Sequence, residues 1–233
     1  MSYLYDLWDD LLSLLLPRLC YACGNQLLRN EFLICTECHV LIPRTNYHLE
    51  EDNPVARLFW GRCRIEKAAA FSFYNRDSRI RKLIHNLKYK GIEAVGFELG
   101  KIYGESLSKS DFLSGIDVII PVPLHPSKKR SRGFNQSEII SEGISSATGI
   151  PVDKESLQRI TVTETQTRRS RFERWTNVEG IFSVKDPSCL AGKHILLIDD
   201  VITTGSTLES CANELLKAEG VKVSVAALAV AVV

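Results

Sequence analysis

An unbroken apolar run, two acids, a polar loop and a helix start follow one another at residues 194–208. The run at 195–198 does not alternate apolar with polar residues, which is typical of a strand buried on both faces. Such strands occur in parallel sheets that are covered by helices. A strand that passes through a short loop into a helix is the building unit of α/β proteins, so this segment predicts that fold class.

Other segments continue the alternation of strand-like and helix-like patterns. Apolar stripes at helical spacing predict helices that stop at Gly91 and Gly220, and a capping pattern predicts that Asn135 begins another helix. The predicted strands are 71–74, 117–122, 194–198 and one starting at Val221, and the predicted helices are 80–90, 93–108, one after Asn135, and 208–216. Together they predict a mainly parallel sheet with helices on both faces.

Four of the seven cysteines form two Cys-x-x-Cys pairs near the start of the chain, Cys20 with Cys23 and Cys35 with Cys38. Two such pairs can close a tetrahedral four-thiolate site, which is a common ligand set of structural zinc. A pair of disulfides is one alternative, and it requires an oxidising compartment. A thioredoxin-like redox motif is another, but it uses a single pair. The pattern therefore favours a small zinc-binding head that folds around its metal.

Charge and hydropathy exclude several broad classes of protein. Lysine and arginine total 29 and aspartate and glutamate total 28, so the net charge is +1 at pH 7. This balance excludes a globally basic nucleic-acid packing protein but allows a local basic patch. The sequence has no apolar run of about eighteen residues that could cross a membrane. The N-terminal segment contains Asp6, Asp9 and Asp10 where a secretion signal would have basic residues. We therefore expect this segment to be an amphipathic helix, and the protein to be cytoplasmic and not inserted in a membrane.

The loop after the apolar strand has the composition of a phosphate-binding site. Backbone amides at a helix N-terminus favour a phosphate, and neighbouring hydroxyls can donate to the same oxygens. These hydroxyls belong to Thr203, Thr204, Ser206 and Thr207. Gly205 lets the backbone approach a ligand closely. Asp199 and Asp200 suit the vicinal hydroxyls of a sugar, so the segment predicts a ribose-5-phosphate site at the end of the strand.

An ordinary cluster of helix N-cap residues would have a similar composition. The two acids favour ligand binding, because carboxylates at the end of a buried strand lose solvation unless something uses them. The loop is not a Walker A motif, since it lacks the Gly-Lys-Ser/Thr element.

The acid-pair segment resembles the ribose-phosphate signature of type I phosphoribosyltransferases, apolar residues followed by Asp-Asp-x-x-x-Thr-Gly-x-Thr. The whole chain resembles the ComF/GntX family, which joins an N-terminal zinc-binding head to a phosphoribosyltransferase domain. The motifs behind this resemblance are the paired cysteines, Leu-Ile-His-Asn-Leu-Lys-Tyr at 83–89, Pro-Val-Pro-Leu at 121–124, Arg-Gly-Phe-Asn-Gln at 132–136, Gln-Thr at 166–167, Arg-x-x-Asn-Val at 174–178 and the acid-pair loop.

The resemblance implies a head at 1–60 and a type I phosphoribosyltransferase-like domain at 61–233. It also implies that the ligand is phosphoribosyl pyrophosphate (PRPP) with Mg²⁺, in addition to a structural Zn²⁺ in the head. The turn at 121–124 would be the pyrophosphate loop, and 161–175 would be a lid that excludes water. The residues implied to bind PRPP are Asp199, Asp200, Thr203, Thr204, Gly205, Ser206, Thr207, Arg132 and Arg174, with the two acids implied to be catalytic. Solvated loops are the plainer interpretation of the arginine clusters.

One departure from the resemblance bears on the reaction. The 6-oxopurine salvage enzymes place a third acid three residues after the pair, where this chain has Thr203. A purine salvage role therefore loses its most direct proton-transfer group, while transfer to another acceptor stays open.

Two functions remain open on the sequence. The first is a phosphoribosyltransferase that acts on an unknown acceptor. The second is a non-catalytic module, because the family is associated with DNA uptake in natural competence. Its zinc head and the basic segments 79–90 and 128–132 would bind single-stranded DNA or a competence helicase. The simplest interpretation of the polar face of 79–90, which includes Lys88, is a solvated helix face.

Overall fold

The computed structural model describes residues 17–76, 78–160 and 181–231. Its α-helices are α1 (Thr36–Val40), α2 (Pro54–Arg57), α3 (Arg79–Lys90), α4 (Glu93–Leu107), α5 (Pro126–Arg132), α6 (Gln136–Thr148) and α7 (Ser206–Leu215). Its strands are β1 (Ala68–Tyr74), β2 (Val118–Pro121), β3 (Leu157–Arg159), β4 (Phe182–Val184), β5 (His194–Ile202) and β6 (Lys222–Ala231). Short 3₁₀ helices lie at Tyr47–Leu49, Asp111–Leu113 and Pro187–Leu190.

A parallel sheet with the strand order β1-β6-β5-β2 forms the centre of the fold. Its register pairs Ala68 with Val225 and Val118 with Ile195, and all three strand pairs are parallel. Strands β3 and β4 form a separate antiparallel pair. The predicted α/β class with a mainly parallel sheet is confirmed.

Helices cover both faces of the sheet. Because side chains alternate along a strand, β5 sends Leu196 and Ile198 into one core and Ile195 and Leu197 into the other. The first core contains the apolar faces of α3, α4 and α6 together with the paired cysteines. The second contains those of α2 and α7 and the β3–β4 pair. The predicted coverage of both faces is therefore also confirmed.

Helices α4 and α6 pack with their backbones in contact, which fixes the position of α6 below the end of β5. A β-carbon on Gly143 would lie 2.1 Å from the carbonyl oxygen of Phe97, and one on Gly100 would lie 2.2 Å from that of Ile140. Only glycine fits at such an approach, because any side chain would separate the two helices.

The segment before β1 packs directly on the sheet. The Phe73 amide donates to the Pro43 carbonyl at 3.0 Å, and the Thr45 amide donates to the Phe71 carbonyl at 3.1 Å. Arg44 and Ser72 form an isolated antiparallel bridge between these bonds. The division into a head at 1–60 and a domain at 61–233 stays a prediction.

Most predicted elements occur close to their predicted bounds, with two extensions. β1 begins at Ala68, earlier than predicted, and β5 continues through the two acids to Ile202. Most of the N-terminal stretch for which an amphipathic helix was predicted, residues 1–16, lies outside the described residues, as does the predicted lid at 161–175. Within the described ranges, none of the helices has the length and apolar character needed to cross a bilayer.

Candidate functional site

Asp199 and Asp200 lie near the carboxyl end of β5, an inner strand of the sheet. The Oδ1 atom of Asp199 accepts hydrogen bonds from the Ser137 hydroxyl at 3.2 Å and from the Asp200 amide at 2.8 Å. The Oδ2 atom of Asp200 lies 2.7 Å from the Lys88 ammonium. The acid pair thus receives one partner from the start of α6 and one from the end of α3.

The protonation of the acid pair is set by its surroundings. Burial, and then the charge of Asp200, raise the pKa of the Asp199 carboxyl to about 7, while Lys88 and the Ser137 hydroxyl act in the opposite direction. A buried acid whose pKa is raised in this way is typical of ligand-binding and catalytic sites. Asp199 therefore changes charge near neutral pH.

The loop between β5 and α7 turns sharply at Gly205. This residue is the N-cap of α7 and has a φ of 76°, a left-handed conformation that favours glycine. A β-carbon there would lie 3.3 Å from the ring of Phe59. Gly205 offers no side-chain cap, but the Ser206 amide at the start of α7 donates to the Thr204 hydroxyl at 3.5 Å, and the hydroxyls of these two residues lie 2.9 Å apart. Four hydroxyl side chains are exposed around this turn, those of Thr203, Thr204, Ser206 and Thr207.

Arg62 fixes the loop backbone from outside the site. Its Nη1 atom donates to the Leu58 carbonyl at 2.9 Å and to the Thr204 carbonyl at 3.1 Å. Its Nη2 atom bonds the carboxylate of Glu209 on α7. The role of Arg62 could not be predicted from the sequence, because nothing in the local pattern connects this residue with a loop that lies 142 positions later.

The predicted pyrophosphate turn and Arg132 lie beside the end of α3. The Arg132 guanidinium carbon is 5.9 Å from the centre of the Tyr89 ring. Asn135 caps α6 by accepting from the Ser137 amide at 3.2 Å and donates to the Val122 carbonyl at 3.0 Å. This anchor connects the turn after β2 with Ser137 and hence with the acid pair. Arg174, the other predicted PRPP-binding arginine, lies outside the described residues.

The solvated interpretation of Lys88 was wrong. Its side chain is 23% exposed and pairs with Asp200. Helical periodicity identifies the apolar face of α3 but not which neighbour covers the edge of the polar face. The sequence signal that could have identified Lys88 as a site residue was the motif at 83–89, which contains it. Ser137 was also missed, since a buried serine at a helix start resembles any other capping-region residue.

The four paired cysteines converge on one point. Their sulfur atoms all lie within 4.8 Å of one another, and the four thiols are not joined in disulfides. Backbone amides point at the sulfurs: the Cys35 amide donates to Cys20 at 3.3 Å, and the Cys38 amide donates to Cys35 at 3.4 Å. Burial opposes ionisation of Cys20, but the backbone amides of Cys35, Cys23 and Ala22 outweigh it and lower the pKa of its thiol to about 7. This donor set fits a metal site with four sulfur ligands.

An open groove of about 960 Å³ is lined by the first cysteine pair and by α3. Its basic lining residues are Arg18, Arg76, Arg81, Lys82, His85 and Lys90. The aromatic side chains of Tyr21 and Phe32 also line it, and Phe32 is 74% exposed. Of the described residues that line the groove, none is acidic. The predicted basic surface on α3 is therefore continuous with the cysteine head.

Residues 127–232 match the family model described as a phosphoribosyl transferase domain. DNA utilization protein YhgH of Salmonella typhimurium is 28% identical over 214 residues, which cover 88% of this chain and 93% of that protein. Competence protein ComFC of Bacillus subtilis is 27% identical, over 86% of this chain and 78% of the relative. Competence protein F of Haemophilus influenzae is 36% identical over 46% of each chain.

Among solved structures, an adenine phosphoribosyltransferase from Leishmania tarentolae matches 81% of this chain and 94% of its own, with 13% identity and a TM-score of 0.38. The matched domain and the parallel sheet with its covering helices define the class: this is a type I phosphoribosyltransferase fold. The relatives extend the similarity across the cysteine head, and their names, DNA utilization protein and competence protein, support the ComF family that the sequence motifs indicated.

Proposed function

We propose that the acid-pair site binds PRPP as its Mg²⁺ complex and that the protein transfers the phosphoribosyl group. The observation that carries this proposal is that Asp199 and Asp200 lie next to the hydroxyl-rich turn at Gly205, at the carboxyl end of the same strand. The turn would hold the 5-phosphate at the start of α7, where backbone amides and the helix dipole favour an anion. The carboxylates would accept hydrogen bonds from the ribose hydroxyls.

Charge at the edges of the site supports the same ligand. Arg132 is the last residue of α5, the short helix that follows β2. Its guanidinium can offer paired hydrogen bonds to pyrophosphate oxygens. Arg174 has the same proposed role. Mg²⁺ would arrive with PRPP and partly neutralise the pyrophosphate. In the proposed transfer, a nucleophile forms a bond to C1 while the C1–O bond breaks and pyrophosphate leaves with the electron pair. Asp199 and Asp200 would stabilise the positive charge that develops on the ribose.

The substitution Asp200→Asn tests this site. It keeps the shape of the side chain but removes the charge, so we expect PRPP affinity to fall about 10- to 100-fold, the value of one or two charge-assisted hydrogen bonds. Asp111→Asn, an exposed acid on a 3₁₀ helix away from the acid pair, is the matched control and should bind as the parent does. Equal affinities for the parent and Asp200→Asn would show that the acid pair does not contact the ligand.

Zinc is the metal that we propose for the four-cysteine cluster. Four thiolates close the tetrahedral shell of Zn²⁺ and leave no open position for chemistry, so its role would be structural. Free thiols also fit the reducing cytoplasm in which we place the protein. Elemental analysis of purified protein should give about one zinc per chain. The count should fall to near zero in Cys38→Ser.

Single-stranded DNA binding is the second candidate function, and the basic groove favours it. Several cations and two exposed aromatic side chains face the same space, a combination that suits a phosphate backbone with stacked bases. Two relatives are named for DNA utilization and competence, which supports a role in DNA handling. The ligand of this candidate is DNA, alone or delivered by a competence helicase.

Charge reversal separates the two candidates. Arg81→Glu with Lys82→Glu should lower affinity for an oligonucleotide and flatten its salt dependence, while PRPP binding stays unchanged. Lys128→Glu with Lys129→Glu tests the second basic segment by the same assay. Asp200→Asn should have the opposite pattern and affect PRPP alone.

A further inference from the structure

Lys88 is the point at which α3 reaches the acid pair. Its ammonium lies 2.7 Å from Oδ2 of Asp200, and the two side chains are 23% and 12% exposed. A partly buried ion pair of this kind is less screened than a surface pair, so it affects the charge and orientation of its carboxylate. Nothing in the proposed binding of PRPP by the acids and the loop accounts for this contact.

A nearby cation favours the ionised form of Asp199. Among the described residues, the titratable groups at the acid pair are those of Asp199 and Asp200 on β5, Lys88 on α3 and Cys211 on α7. Lys88 is the cation among them, and it opposes the effects of burial and carboxylate repulsion at Asp199. Hydroxyl groups of a sugar donate hydrogen bonds, and an ionised carboxylate accepts them more strongly than a protonated one does.

The position of Lys88 is fixed from the cysteine head. Near the start of α3, Arg79 donates to Glu37 at 3.0 Å, and later in the helix Asn86 donates to the Tyr21 carbonyl at 2.7 Å. Between and beside them, the apolar stripe of α3 is buried in the core that also contains the cysteines. Because the head holds α3 through Arg79 and Asn86, the helix fixes the position of Lys88 beside the acid pair.

We infer that Lys88 is a positioning residue of the acid-pair site, and that it orients Asp200 and supplies positive charge beside the pair for a ligand with vicinal hydroxyls. The identity of that ligand rests on the proposed function. The effect of Lys88 on the acids exists without any ligand, so the two can be tested separately.

The experiment compares the parent with Lys88→Met, Lys88→Arg and the control Lys101→Met, which removes an exposed lysine from α4. The first readout is the carbon-13 NMR titration of labelled aspartate carboxyls in ligand-free protein. In Lys88→Met the titration midpoint of the Asp199 carboxyl should move to higher pH, while Lys88→Arg stays near the parent and Lys101→Met matches it. An unchanged midpoint in Lys88→Met would overturn the inference.

The second readout is PRPP affinity between about pH 6 and 9. Near neutral pH, Lys88→Met should bind about tenfold more weakly, and the loss should shrink at high pH, where the pair ionises without help. A loss that is equal at every pH would assign Lys88 a purely structural role and contradict the inference. If the parent itself does not bind PRPP, the proposed function fails, while the carboxyl titration still decides the role of Lys88.

Discussion

The side-chain amide of Asn86 donates to the backbone carbonyl of Tyr21 at 2.7 Å and joins the first cysteine pair to the helix that carries Lys88. Asn86 is 6% exposed, so the donor side of this bond is buried, while Tyr21 lies at the surface. One helix, α3, thus connects the four-cysteine cluster with the acid pair and forms polar contacts with both. A substitution at either end of this connection should therefore affect the other site.

Replacing Asn86 by Ala should destabilise the protein by about 1 kcal/mol, because the partly buried hydrogen bond to the Tyr21 carbonyl is lost. The same change should weaken PRPP binding through Lys88. Chemical denaturation and PRPP titration measure the two effects. Asn213→Ala, on the exposed face of α7, controls for the loss of an asparagine and should be close to neutral in both.

Removing the metal from the four-cysteine cluster should lower both the melting temperature and the PRPP affinity. The cysteines are part of the core that contains α3 and α4, so the head cannot loosen without exposing apolar surface. Thermal melts before and after chelation, followed by restoration with Zn²⁺, measure this. A melting temperature that chelation leaves unchanged would contradict a structural role for the metal.

Gly205→Ala should cost more than the same substitution at Gly149. Both glycines have a φ near 75°, so an alanine at either position should lower the free energy of unfolding by about 1–2 kcal/mol, because it must adopt the left-handed conformation. The Gly149 site has no atom within 4 Å of the added carbon, whereas the Gly205 site has the Phe59 ring at 3.3 Å. Denaturation measures the extra cost, and PRPP affinity should fall only for Gly205→Ala.

Asp199→Asn should stabilise the ligand-free protein at alkaline pH by about 1–3 kcal/mol. The pKa of this carboxyl is raised from 3.8 to about 7 by burial and by Asp200, so the folded state binds a proton that the unfolded state has released. Stability of the parent therefore declines as pH rises across that window and stays reduced above it. The neutral asparagine avoids this penalty.

Unfolding free energies at about pH 4 and pH 8 test the sign of this effect. The advantage of Asp199→Asn should be small at the acid end and largest at the alkaline end. Asp111→Asn should show no such gain. An advantage that is larger at pH 4 would reverse the assigned direction of the pKa shift.

The strand, acid pair and turn at 194–208 could be predicted because all their signals are local in sequence. Strand β1 was predicted too short, since Ala68, Ala69 and Ala70 have low strand propensity and are strand residues only by pairing with β6. The cysteine cluster was predictable from spacing. The contacts of Lys88 and Arg62 were not, because they depend on which distant elements meet at the strand end.

Calorimetric titration of the zinc-loaded protein with Mg²⁺ and PRPP tests the central claim most directly. The arrangement of Asp199, Asp200 and the turn at Gly205 predicts saturable binding with a micromolar dissociation constant, which Asp200→Asn greatly weakens. Absence of binding by folded, zinc-loaded protein would contradict the claim, and the basic groove beside α3 would then become the primary ligand site to test.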